Sequence, residues 1–237
     1  VSRKLPLFFA IDIAQMQNFR PVTLQRILIF LAGLLVIKVT VAVVLGYVNY
    51  FPPNFQAEFL HGRDDYFFGG YQWAFYPHIA SGPVSLVLGL ILVSDQFRLK
   101  YPRWHRCLGR IQVACVLFVV APTGLWMAYY AVAGPIGGIG FAVLAVLTGT
   151  CAALGWRKAV QRKFLEHRRW MWRCFLLLCS AVVLRLIGGL ATVIGVSTEH
   201  RISIDWFDPL ASWASWLVPL AIFEISLRLK RPIRLRR

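Results

Sequence analysis

Six stretches of this chain, each roughly 20 mostly apolar residues long, leave it few ways to fold. They cover about 27–48, 74–97, 107–132, 136–156, 174–196 and 207–227. A helix rising about 1.5 Å per residue crosses the hydrocarbon core of a bilayer in that length. Within 237 residues, six such spans leave no room for a further soluble domain. Composition agrees: 58% of the residues are hydrophobic and only 15% charged, where a soluble domain carries about a quarter charged. A disordered chain shows the opposite bias. The expected fold is therefore all-α, a polytopic transmembrane helical bundle of six spans.

Orientation follows from the Lys and Arg residues between the spans. Arg3, Lys4, Arg20 and Arg26 precede span 1, and Arg98, Lys100, Arg103, Arg106 and Arg110 join spans 2 and 3. Seven more lie in the span 4–5 connection and six in the tail, which places 22 on one side of the membrane. The other side holds Arg63 and Arg201 alone, and Lys38 and Arg185 fall inside spans. Both termini are expected on the basic, cytoplasmic face of an inner membrane, N-in and C-in. The chain has 26 Lys and Arg against 10 Asp and Glu, a net charge of +16. In a soluble protein this surplus would point to nucleic acid; here topology absorbs it.

Residues 1–26 read as a cytoplasmic or interfacial segment, 27–227 as the transmembrane domain and 228–237 as a basic tail. Within the first, 5–19 is short and interrupted by Asp12, which suits a helix lying on the membrane and makes a poor signal peptide. The initial Val points to an alternative start codon or a truncated end. Cys107, Cys115, Cys151, Cys174 and Cys179 are odd in number and form no CxxC, so neither a disulfide framework nor a zinc site is indicated. They read as small buried hydrophobes.

Lys38 and Arg185 are the anomalies. Counted along the apolar stretches, each sits about 16 Å from the ends of its helix, too deep to snorkel. A cation there costs at least about 2.5–3.5 kcal/mol and marks a functional site by default. No carboxylate shares their depth, since Asp95, Asp208 and Glu224 all lie near span ends. The pair can line a watery cavity, donate to carbonyls and hydroxyls such as Thr40, Thr148 or Ser180, or hold an anionic group; a neutral Lys38 is a further alternative.

Three histidines stand in distinctive phrases: His78 opens span 2 in HIASG, His105 precedes span 3 in WHRCLGR, and His167 precedes span 5 in EHRRWMWR. Together with Gln96-Phe97, Gly109-Arg110, Trp170-Met171 and Arg185-Leu186, these resemble the "domain of unknown function 2306" family of predicted bacterial membrane proteins. The resemblance covers about 73–190, with Cys174 standing where the family more often has Ser. It implies a helical membrane core with Arg185 in its signature, and it supplies no reaction.

Neutral imidazoles are good axial ligands of haem b, and bis-His haem between helices is the usual device of transmembrane cytochromes. His78, His105 and His167 are the candidates, too few for two haems but enough for one on the inner face. Alternatively, His105 and His167 are interfacial and bind lipid headgroups. A third reading joins His105, Arg106, Arg110, His167, Arg168, Arg169 and Arg173 into an anion site, because basic cytoplasmic pockets recognise anionic lipids. On the outer face Glu58, His61, Asp64, Asp65, Glu199, His200 and Asp205 lack fixed ligand spacing and read as a solvated acidic rim, with no metal expected. No phosphate loop, HExxH or nucleophile elbow occurs in context.

Three functions follow as expectations. The chain binds, transports or senses a lipid or small anion; or it carries electrons on haem b; or it is an accessory subunit of a membrane complex. Its expected partners are the bilayer, anionic lipids and membrane-complex subunits, with no nucleic acid.

Overall fold

A computed structural model describes residues 8–57, 59–193 and 204–229. It has six helices long and apolar enough to cross a membrane: Arg26–Asn49, Asp64–Leu92, Pro102–Tyr129, Gly134–Val160, Phe164–Val193 and Trp206–Leu229. We call them spans 1 to 6. Among the described residues there is no β-strand. By contact the chain divides after Lys38 into two units. The helix that becomes span 1 starts at Phe8, in the first unit, and ends at Leu45, in the second, without interruption. The segment expected to be a separate interfacial helix is thus a continuation of span 1.

In the second unit, small residues let the helices approach, as expected where lipid tails remove the hydrophobic drive between them. A Cβ on Gly138 of span 4 would lie 2.8 Å from the Ala128 carbonyl oxygen of span 3. Gly140 faces the Trp213 indole of span 6, Gly155 faces Met171 of span 5, and Gly89 of span 2 faces Phe175 of span 5. Between spans 2 and 3 the buried Gln112 amide donates to the Ser85 carbonyl at 3.0 Å.

Three span boundaries differ from those the sequence suggests. Span 2 starts at Asp64 and kinks within Phe67–Tyr71, where Gly70 takes φ 147°, a non-helical conformation open to glycine. His78 lies in the second turn of the regular helix Gln72–Leu92 that follows. Span 3 begins at Pro102 and span 5 at Phe164, so His105 and His167 lie one turn inside their helices rather than before them. Span 5 is made of two helices, Phe164–Leu178 and Ser180–Val193, meeting at Cys179. Arg185 lies 21 residues from the start of its span, in the second of these two helices.

The Tyr50–Arg63 connection folds back as a cap on the ends of spans 2 and 3. Leu60, Phe67, Tyr71 and Phe75 are fully buried there, ringed by Tyr50, Phe55, Tyr66, Tyr76 and Tyr130. Edge-on ring pairs such as Tyr50–Phe75 (5.3 Å) and Phe55–Phe67 (5.4 Å) fill the space. We refer below to the cap end of the bundle and to the opposite, basic end.

Candidate functional site

The basic end is built where span 4 turns into span 5. Span 4 ends with Arg157 and Lys158 in its last turn, where cations suit the helix dipole. Arg162 then takes φ 59° in the turn, and Glu166, in the first turn of span 5, pairs with Lys158. Gly155 lets the two helices close up: an added Cβ would stand 2.6 Å from the Met171 Sδ. This register puts successive arginines of span 5 on different neighbours.

Arg173 faces span 6. Its Nε and Nη2 donate to the two oxygens of Glu224 at 2.6 and 3.1 Å, and its guanidinium lies 4.6 Å from the Trp170 ring centre. Beside this pair is a cavity of about 340 Å³ lined by Arg169, Arg173, Glu224, Leu227 and Arg228. Three guanidinium groups against one carboxylate leave the cavity with two positive charges in excess. Arg forks match carboxylate and phosphate oxygens, so the chemistry on offer is anion recognition.

Arg168 faces the other way. It donates to Asp95 at 2.6 Å, and Asp95 also accepts from Arg98 at 3.0 Å. Asp95 opens the short helix Asp95–Lys100, whose Ser94 cap accepts from the Phe97 amide. Slight burial pushes the Asp95 carboxyl up, but hydrogen bonds and charge from Arg98 and Arg168 outweigh it and hold it below the usual carboxylate range.

His105 and His167 lie within electrostatic reach of each other. The His167 Nδ1 is 2.8 Å from the Gly155 carbonyl, which can only accept, so Nδ1 carries the proton and Nε2 the lone pair. The His105 Nδ1 is buried without a hydrogen-bond partner. The sequence-predicted inner cluster is thus divided: Arg169 and Arg173 line the cavity, Arg168 joins Asp95, and His105 stands near His167. Arg106 and Arg110 are exposed on span 3.

His78 takes no part in either group. Its Nδ1 is 3.0 Å from the Thr123 hydroxyl, whose own proton goes to the Val119 carbonyl at 2.6 Å, so the imidazole is the donor. Thr123 follows a π-helical turn, Val116–Val120, in span 3. A Cβ on Gly124 would approach the His78 Cε1 to 3.2 Å, so this glycine makes room for the ring. The three histidines do not form one ligand set.

Of the two intramembrane cations, Lys38 is exposed and belongs to the first unit. Arg185, in the second, donates to the Ala181 carbonyl of its own helix at 2.9 Å and lies within electrostatic reach of Tyr47. Glu58, Glu199, His200 and Asp205 of the acidic rim fall outside the described residues or side chains, while His61, Asp64 and Asp65 are exposed. Among the described residues no group of three or more His, Cys, Asp or Glu could hold a metal ion.

One cation escaped the sequence reading. Arg63 is 5% exposed. Its Nε donates to the Phe59 carbonyl at 2.8 Å, and Nη1 to the Tyr66 hydroxyl and the Tyr130 carbonyl at 3.1 and 2.9 Å. The rings of Phe59 and Tyr71 face its guanidinium at 5.0 and 5.2 Å. The signal available was a lone Arg in the aromatic run from Phe59 to Tyr71.

A family model described as predicted membrane protein (DUF2306) matches residues 75–227, which takes in spans 3 to 5 and most of spans 2 and 6. No curated protein and no solved structure gives a match.

Proposed function

The chain belongs to the DUF2306 family of predicted membrane proteins, and from that premise we propose that it binds an anionic lipid headgroup or small anion at its basic end. The observation that carries this reading is the cavity of about 340 Å³ between spans 5 and 6, with its excess of two positive charges. Glu224 fixes Arg173 in place, Arg169 and Arg228 supply free charge, and Leu227 offers an apolar wall to the start of an acyl chain. The Lys and Arg distribution supports placing this end on the cytoplasmic side of an inner membrane, where anionic headgroups are concentrated. The test is lipid binding by the full chain in neutral detergent, followed by native mass spectrometry. Phosphatidylglycerol should stay bound to the wild type, and Arg169→Ala with Arg228→Ala should weaken it about tenfold. Unchanged retention defeats the reading. Reporter fusions at the two termini check the orientation.

A second reading, haem b between His105 and His167, draws on one observation. The His167 Nδ1–H is anchored on Gly155, which leaves Nε2 free to act as an axial ligand. Chain expressed with haem supplementation should then show a Soret band that His167→Ala abolishes and His78→Ala preserves. A purified chain without that band removes haem from consideration.

A further inference from the structure

We propose that the cap-end half of span 5 carries a second site, separate from the basic cavity, for the anionic head of an amphiphile entering from the bilayer. Arg185 holds the head, and Gly188 and Gly189 leave the room for it. Arg185 is exposed although it stands within a membrane span. The described contacts use one of its five N–H donors, on the Ala181 carbonyl of its own helix. Among the described residues no carboxylate pairs with it. A guanidinium keeps its charge at any depth, and in an apolar span that charge is costly until an acceptor is found.

The surroundings suit an acceptor from outside the protein. The Tyr47 hydroxyl gives its proton to the Ile79 carbonyl of span 2 at 2.8 Å, so the donors left for an anion are those of the Arg185 guanidinium. Gly188 and Gly189 follow Arg185 by three and four residues and so share its face of the helix. A Cβ built on either meets nothing within 4 Å, so the space beside the guanidinium is not filled by a packed neighbour. Helix Ser180–Val193 packs mainly on span 6, whereas span 2 packs on the other half of span 5, Phe164–Leu178.

Charge complementarity names the head: a carboxylate or phosphate, whose paired oxygens match a guanidinium fork. Depth names the rest of the molecule. A guanidinium exposed on a membrane-spanning helix faces the bilayer, which a fully hydrated ion enters poorly and a lipid reaches sideways. Leu186 and Leu190, exposed beside Arg185 on the same helix, provide the apolar surface for its chain.

The test uses the full chain in neutral detergent, with phosphatidylglycerol as probe and native mass spectrometry as readout. The Arg169→Ala/Arg228→Ala background isolates this site from the basic cavity. In that background one phosphatidylglycerol should remain bound, and Arg185→Gln should weaken it about tenfold or more. Gly188→Leu should do the same by filling the space while leaving the melting temperature unchanged. This second variant decides the matter if Arg185→Gln does not fold. Lipid retained unaltered in Gly188→Leu and in a folded Arg185→Gln overturns the proposal. So does displacement by inorganic phosphate at concentrations comparable to the lipid's, which would mark a site for small anions. If instead Arg169→Ala/Arg228→Ala leaves wild-type binding intact, the basic cavity is refuted and this site stands on its own result.

Discussion

Arg173 and Glu224 meet through two hydrogen bonds, 2.6 and 3.1 Å long, that tie span 5 to span 6 at the basic end of the bundle. Their side chains are 20% and 35% exposed, so the pair is shielded enough to matter and wet enough to avoid the full cost of burying charge. It also sets the charge of the adjoining cavity, because Glu224 offsets one of three arginines.

Replacing Glu224 with Gln should therefore have two opposite effects. Stability should fall by about 1 kcal/mol through loss of a charge-assisted pair, read as a lower melting temperature in detergent. Affinity for phosphatidylglycerol should rise at the same time, since the cavity gains a net positive charge. Stability and affinity moving down together would separate the pair from the cavity.

Arg63 should be irreplaceable by Lys. An ammonium cannot reach the Phe59 and Tyr130 carbonyls and the Tyr66 hydroxyl at once, as the guanidinium does. Arg63→Ala should cost about 2–4 kcal/mol, because it leaves buried acceptors unpaired and opens the aromatic core. Arg63→Lys should recover less than half of that. Thermal unfolding and limited proteolysis of the 50–63 connection report both.

Glycines of similar sequence context should differ sharply in tolerance. Gly138→Ala would put a methyl 2.8 Å from a backbone oxygen of span 3, a clash that no side-chain movement relieves, with a cost of about 1–3 kcal/mol. Gly149→Ala, with 3.4 Å to the nearest atom, and Gly188→Ala, which meets nothing, should be close to neutral. Melting temperatures of the three variants are the measurement; equal losses would refute the close packing of spans 3 and 4.

Acid should loosen the tie between the 95–100 helix and span 5. The Asp95 carboxyl is held below its ordinary value, so its contribution is complete above about pH 4, the ordinary Asp value. That contribution is lost as pH falls through the depressed value. Arg168 and Asp95 are each about half exposed, which limits the effect to a few tenths of a kcal/mol. Asp95→Asn should flatten the acid limb of the stability profile and leave neutral pH almost unchanged.

The number of spans was legible because apolar length alone reports a membrane crossing. Boundaries were harder to read wherever a helix carries its charges inward. Arg168, Arg169 and Arg173 look like loop residues by hydropathy, yet they form the first turns of span 5 because each finds an acceptor, a ring or a cavity on a neighbouring element. The acidic, glycine-containing start of span 2 misled in the same way, because the chain turns helical at Asp64, ahead of the apolar run. The arginines of the candidate site were visible in the sequence. Glu224 was visible too, but nothing in a single sequence reveals that it faces Arg173, 51 residues away. Arg63 was counted only as an exposed charge, since its acceptors are mostly backbone oxygens, which have no letter in the sequence.

The Arg63 staple also constrains the order in which the protein can be made. Its most distant acceptor, the Tyr130 carbonyl, lies 67 residues further along the chain and emerges only after spans 2 and 3 have been synthesised. Until then the guanidinium has only its local acceptors, the Phe59 carbonyl and the Tyr66 hydroxyl, and the aromatic cap lacks its tie to the end of span 3. The cap therefore closes late, as a seal formed once the hairpin of spans 2 and 3 is in place, and a nascent chain stopped before Tyr130 should leave residues 50–63 open to protease.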